Sequence, residues 1–261
     1  MSSISREDLF LGAPYEIDGI CKVYQLTLNE IQQSMGMEKY QYFINLFTME
    51  DSDLQKLYKQ KLAQKDQDFS VPELEMSLFQ YIMVSASLDK TFFLDLKYGL
   101  STFIKEEVLI SPKTFSIIIG DPLKHRVITE KEFLQFSKAL RYFNNLPIPE
   151  PPPENETPMQ KRFRLKREER ERVKRETERK KAEESGEGAD FADLISSLCV
   201  MNVGVTVQNI GDHTIYQIKN LLERAQARET YYTELDMLMA GADSKKIKLK
   251  HYVRNLHKEV N

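Results

Sequence analysis

RFRLKREERERVKRETERKKAEE, residues 162–184, is a run of more than twenty residues with almost nothing to bury. It follows NNLPIPEPPPENETP, residues 144–158, where prolines remove backbone donors and favour extended, polyproline-like chain. Neither stretch can contribute to a hydrophobic interior, so together they interrupt the apolar pattern of the 261-residue chain. The charged block consists of strong helix formers, and its acids often stand three or four residues from bases. Helical pairs such as Glu168 with Arg172 and Glu171 with Arg175 are therefore available, each worth a few tenths of a kcal/mol. ESGEGAD, residues 184–190, then breaks the helix. This reading divides the chain into an N-terminal α+β helical domain (1–145), a Pro-rich and charged helical linker (146–188) and a C-terminal helical module (189–261). The expected fold class is mainly α (α+β), with small β elements in the first part and a small helical bundle in the last.

The charged block could instead be a nucleic-acid-binding arm. From Lys161 to Glu184 it holds 12 basic and 7 acidic residues. Those carboxylates would repel the phosphates that the arginines attract, and no aromatic follows Phe163 to stack on bases. The balance favours a solvated spacer and reads against nucleic acid as a partner.

Hydrophobic content of 41% and a formal charge of −3 are those of a globular protein, neither disordered nor membrane-embedded. No apolar run approaches the roughly 18 to 20 residues needed to cross a bilayer. MSSISREDLFLGAPYE at the start lacks the basic and apolar regions of a secretory signal, so the expected location is the cytoplasm. Cys21 and Cys199 are far apart, without a neighbouring Cys or paired His, and read as reduced packing residues with no disulfide framework or zinc motif.

Within the first part, APYEIDGICKVYQL (13–26) predicts a hairpin turning at Asp18-Gly19. Thr27 and Glu30 have capping-box spacing, and Tyr40, Phe43, Ile44 and Phe47 recur at helical spacing. Ser52 is a candidate start for a short helix. Ser70, Pro72 and Glu73 signal a helix entry, followed by a buried face of Leu78, Tyr81, Ile82 and Ser85. Residues 90–105 continue as helix. VLISPKTFSIIIG (108–120) reads as two strands around Ser111-Pro112, and HRVIT adds a third. A helix capped by Thr129 with Glu132 then carries Phe133, Phe136, Leu140 and Phe143 inward.

In the last part, Phe191, Leu194, Ile195 and Leu198 share a helix face. Asp212 or Thr214 can cap a longer helix with a stripe of Ile215, Ile218, Leu222, Ala225, Tyr232, Leu235 and Met239, stopped by Gly241. A basic terminal helix is expected to place Leu249, Tyr252, Val253 and Leu256 on one side. Three helices in about 70 residues make a marginal core unless they dock on something. The candidate partner-binding residues are therefore Leu249, Tyr252, Val253 and Leu256 with the flanking Lys248 and Lys250, the alternative being that this helix closes the bundle.

Chemistry is not written in the chain. His125, His213, His251 and His257 have no shared metal-ligand spacing; the last two are six apart, on opposite faces of a helix. No glycine run has phosphate-cradling spacing and no Ser, Cys or Thr sits in a nucleophile context. The expectation is a protein that is not an enzyme, with no catalytic residue, no cofactor and no metal.

DLFLGAPYEIDGICKVYQLTLNEI (8–31), DFADLISSL (190–198) and HTIYQIKNLLERAQARETYYTELDMLMAGADSKKIKLKHYVRNL (213–256), in this order around a Pro-rich and charged middle, resemble proteins of tailed bacteriophages from Gram-positive hosts, more narrowly their tail-assembly chaperones. The resemblance implies a non-catalytic factor of the host cytoplasm that coats the tape-measure protein, recruits tail-tube protein and is absent from the finished particle. It also implies short and frameshifted long products. Two modules on a spacer suit such work, because tethering raises the effective concentration of one weak site for the other. Self-association stays open, as do a structural tail or baseplate adaptor and a nucleic-acid-binding regulator.

Overall fold

The computed structural model describes residues 4–17, 19–50, 53–54, 56–57, 76–124, 126–148, 157, 159–160, 162–164, 166–167, 170, 173–174, 177, 181, 190–201, 204–243, 247 and 249–253. It opens with α1 (Arg6–Phe10), whose start is closed by a capping box between Ser5 and Asp8. The strands β1 (Tyr15–Ile17) and β2 (Cys21–Val23) pair antiparallel, with Tyr15 opposite Val23 and Ile17 opposite Cys21. The connection is longer than the expected Asp18-Gly19 turn. The Ile20 N–H donates to the Ile17 carbonyl at 2.9 Å, closing a tight turn in which Gly19 takes the left-handed conformation (φ +69°), and because Ile17 pairs with Cys21, Ile20 is one further residue between the strands.

Next come α2 (Leu28–Ser34), started by the expected Thr27–Glu30 box, and α3 (Gly36–Phe47), which buries Tyr40, Phe43, Ile44, Leu46 and Phe47. Ser52 and the Ser70–Glu73 signal lie outside the described residues. The helix α4 (Leu78–Leu88) is capped by Ser77 with Gln80 and buries Phe79, Ile82, Met83 and Ala86, one residue displaced from most of the expected face. Asp89 breaks the chain and caps α5 (Lys90–Ile104), accepting from the Thr91 and Phe92 N–H groups at 2.8 and 3.1 Å. A three-stranded antiparallel sheet follows in the order β3 (Val108–Ser111), β4 (Ser116–Ile119), β5 (Val127–Ile128). The Thr129–Glu132 box then starts α6 (Glu130–Phe143), which buries the expected Phe133, Phe136, Leu140 and Phe143.

The interior is aromatic at its centre. Phe47 of α3 stands 5.3 Å from Phe136 and 6.3 Å from Phe133, both of α6, and 6.2 Å from Phe103 of α5, in edge-to-face arrangements that suit the ring quadrupoles. Buried Arg141 donates to the carbonyls of Thr48 and Pro147, which fastens the chain leaving α3 to the chain leaving α6.

All described residues between Met159 and Lys181 are helical, and all but Arg164 are exposed, as a solvated charged helix requires. The pairs expected at Glu168–Arg172 and Glu171–Arg175 lie outside the described residues. Asp190 caps α7 (Phe191–Val200), and Thr214, with Gln217, caps α8 (Ile215–Met239). Mainly helical α+β is therefore the observed class.

The segments on either side of the spacer are in direct contact. Ile215 and Tyr216 of α8 belong to the same buried cluster as Leu9, Val23, Phe43 and Phe136, while Leu198, Val205 and Ile218 form a small satellite cluster. Polar contacts reinforce the docking. The Leu28 N–H donates to the His213 carbonyl (3.0 Å), Gln217 Nε2 to the Phe10 carbonyl (2.7 Å) and Asn29 Nδ2 to Asp212 Oδ1 (3.1 Å). Buried Gln25 joins them from within: its amide nitrogen donates to the Leu9 and Ala13 carbonyls, and its oxygen accepts from the Thr214 hydroxyl. The marginal C-terminal core predicted from its size finds its support on the N-terminal part of the same chain.

Candidate partner-binding site

At about 1.5 Å per residue, α8 is roughly 37 Å long, more than its docking surface covers. Its stripe is buried at Ile215, Ile218 and Ala225, half-buried at Leu222 and Leu235, and open at Tyr232 and Met239, which are 48% and 80% exposed. The helix ends as expected at Gly241, whose φ of +93° lets the chain reverse. The Gly241 N–H donates to the Leu238 carbonyl and the Ala242 N–H to the Met237 carbonyl, both at 3.0 Å, the paired bonds of a Schellman stop.

The chain then returns to α8, and the described residues of the expected terminal helix are not helical: residues 249–251 have no regular structure and Tyr252–Val253 make a turn. In a helix over this stretch Lys246 and Lys250 would repel each other one turn apart. Side-chain contacts hold it instead. Tyr252 lies 5.7 Å from Tyr231 and 6.2 Å from Tyr232, and His251 stacks on Tyr252 at 4.6 Å. Arg224 Nη1 donates to the Tyr252 carbonyl at 2.9 Å, and the Val253 N–H donates to His251 Nδ1 at 3.2 Å.

Of the residues expected to bind a partner, Leu249 (37% exposed), Val253 (68% exposed) and Lys250 face solvent, whereas Tyr252 is half-buried against α8. Leu256 and Lys248 lie outside the described residues, as do His125 and His257. Tyr231, Tyr232, Arg224 and His251 complete the cluster. Of these, only Tyr232 was legible, from its place on the stripe, because the contacts of the others depend on the chain folding back.

A second feature is a cleft of about 570 Å³ at the seam between the two parts, bordered by Tyr40, Tyr42, Asn144, Phe191, Ile215 and Lys219 among others. Lys219 Nζ donates to the Asn144 carbonyl at 2.8 Å, and burial depresses its pKa below the usual lysine value despite the opposing charge of Glu223. Tyr40 donates to Asn144 Oδ1 at 2.9 Å. Tyr40, Asn144 and Lys219 are joined by these intramolecular hydrogen bonds, so the cleft reads as a by-product of docking. No group of three or more His, Cys, Asp or Glu side chains with metal-binding geometry occurs among the described residues. Cys21 and Cys199 are free thiols, and burial, reinforced by the charge of Glu106, pushes Cys21 up to about 12. No described helix is long and apolar enough to cross a membrane.

Residues 179–257, less than a third of the chain, match the family model described as the YomV second domain, a Bacillus phage-type family that points to a phage protein. The matched stretch contains α7, α8 and the fold-back segment. No curated protein and no solved structure matches.

Proposed function

We propose that this chain is a non-catalytic assembly factor of phage tails, a chaperone in the host cytoplasm that holds the tape-measure protein and recruits tail-tube subunits. The observation that carries the reading is the unequal burial of α8. One end is anchored through Thr214, Gln217 and Ile215, and the other presents Tyr232 and Met239 to solvent, while the fold-back segment exposes Leu249 and Val253. Apolar groups held out on an anchored helix suit protein capture, and the phage-type family match lies over this region. In this division of labour the C-terminal module grips the partner and residues 1–145 form its base.

The test is affinity capture from phage-producing cells, read by mass spectrometry for two named proteins. Recovery of tape-measure and tube proteins is expected, and recovery of neither overturns the tail reading. A structural tail or baseplate adaptor is the second reading, favoured by the fixed docking of α8 on the N-terminal part. Purified particles separate the two, because a chaperone is absent from them and an adaptor is present.

A further inference from the structure

The stripe of α8 has a second regularity. Ile218, Leu221, Ala225, Arg228, Tyr232, Leu235 and Met239 succeed each other at alternating steps of three and four, the spacing of a coiled-coil seam. The first part of this seam is already used. Ile218 packs with Leu198 of α7, Leu221 lies against the same cluster, and Arg228 Nη2 donates to the carbonyl of Met201, just beyond the end of α7. From there the seam continues without α7 for about three turns, roughly 18 Å, with Tyr232 and Met239 open and Leu235 half-buried.

The two sides of this open seam differ. One is closed by the fold-back segment, where Tyr252 and His251 contact Tyr231 and the Tyr252 ring also lies 6.2 Å from Tyr232, whose remaining face is open. The other is bordered by Glu229 and Asp236, seven residues apart, hence on one face, and both exposed, although Glu229 Oε1 also lies 3.6 Å from Arg228 Nη2. From Glu229 to Asp243 the sequence contains four acids and no base. A second copy laid antiparallel would bring these acids against each other, and one laid parallel would need the side that Tyr252 occupies.

We propose that the open half of this seam is the docking face for an amphipathic helix of another protein, one whose apolar stripe is flanked by lysine or arginine. The seam supplies the knobs-into-holes contacts, and Glu229 and Asp236 select the charge of the guest. This rests on the partner-binding reading above, but not on the partner being a tail protein.

The experiment uses the full chain and two synthetic helices of three heptads with leucine at every seam position, one flanked by lysine and the other by glutamate. Binding is followed by fluorescence anisotropy at low salt. The lysine helix is expected to bind about tenfold more tightly, the sum of a few exposed ion pairs. The double variant Glu229→Lys/Asp236→Lys reverses the preference, whereas Glu7→Lys/Glu16→Lys, the same change of net charge placed on α1 and β1, preserves it. Tyr232→Asp/Met239→Asp removes binding of both probes while hydrogen exchange at Ile215–Ile218, about four turns away on α8, stays unchanged.

Equal binding of the two probes, no binding, or an equal response to the two charge reversals overturns the proposal. So does a dimer in sedimentation that Tyr232→Asp/Met239→Asp dissolves, which would assign the face to a second copy. Probe binding that behaves as expected, alongside failure to capture tape-measure and tube proteins, would keep the docking face and refute the tail reading alone.

Discussion

Gln25 allows the attachment of α8 to be measured. It is buried, with its amide nitrogen 3.1 Å from the Leu9 carbonyl and 3.3 Å from the Ala13 carbonyl, and its oxygen 3.2 Å from the Thr214 hydroxyl. Gln25→Leu keeps the bulk and removes the amide. The Leu9 carbonyl retains the Gly12 N–H, so the loss falls on the Ala13 carbonyl and the Thr214 hydroxyl. At about 1 kcal/mol for each buried group left unpaired, the variant should lose about 2 kcal/mol. Thr214→Val removes the cap of α8, worth about 1 kcal/mol, and strands the Gln25 oxygen for about 1 more. Because each single change strands a partner that the double variant no longer has, the double variant should be less destabilised than their sum by about 2 kcal/mol. Thr214→Ser, which keeps the hydroxyl, should lie within about 0.5 kcal/mol of the parent. The assay is urea unfolding followed by circular dichroism, with hydrogen exchange over the first two turns of α8 to report local release. Additive losses with unchanged exchange at Ile215–Ile218 would refute the idea that this bond couples the two parts.

Three further outcomes are expected. Gly99→Ala should destabilise by about 1–2 kcal/mol in thermal or urea unfolding although alanine favours helix, because the new Cβ would stand 2.7–3.0 Å from atoms of the buried Phe43 ring. Gly241→Ala should cost about 1 kcal/mol through the positive φ and fray the last turn of α8, seen as faster exchange at Leu238 and Met239. Cys21 should resist thiol reagents in the native state while half-buried Cys199 reacts first, as peptide mapping can check. The raised Cys21 pKa also fixes a sign: the folded state favours the neutral thiol, a contribution fully present below the ordinary value of 9.0 and lost as pH rises through about 12. Stability should therefore fall over that alkaline window, and Cys21→Ala should flatten that part of the decline.

What could be read from the sequence was set by nearby residues. The boxes at Thr27–Glu30 and Thr129–Glu132 depend on partners three residues away, so their spacing alone placed two helix starts, while a third was narrowed to Asp212 or Thr214 and falls at Thr214. The stripe of Phe133, Phe136, Leu140 and Phe143 was equally clear, because one helix face meets one interior. Tyr216 shows where this logic ends. It adjoins Ile215 in sequence and points away from the stripe, yet both are buried, because the first turn of α8 is enclosed by the N-terminal part. A single-stripe pattern cannot announce an enclosure. The hydrogen bonds that hold this turn come from Gln25, Thr214 and Gln217, polar residues without periodicity.

The candidate site divides for the same physical reason. Tyr232 and Met239 were visible as members of a helical stripe, and their exposure follows from α8 outrunning α7. Tyr252 was selected as part of a terminal helix but lies in a turn, and reaches α8 because its ring finds Tyr231 and its carbonyl finds Arg224. One helix thus serves as a buried anchor over its first turns and as an open seam over its last, and the two are separable by mutation: Gln25→Leu should loosen the anchor without changing the probe preference set at Glu229 and Asp236, while Tyr232→Asp/Met239→Asp should abolish probe binding without loosening the anchor. Hydrogen exchange at Ile215–Ile218 and probe anisotropy, measured on all of these variants, should therefore vary independently. A strict correlation between them would mean that docking and partner capture are one equilibrium, with the open seam existing only while α8 is held.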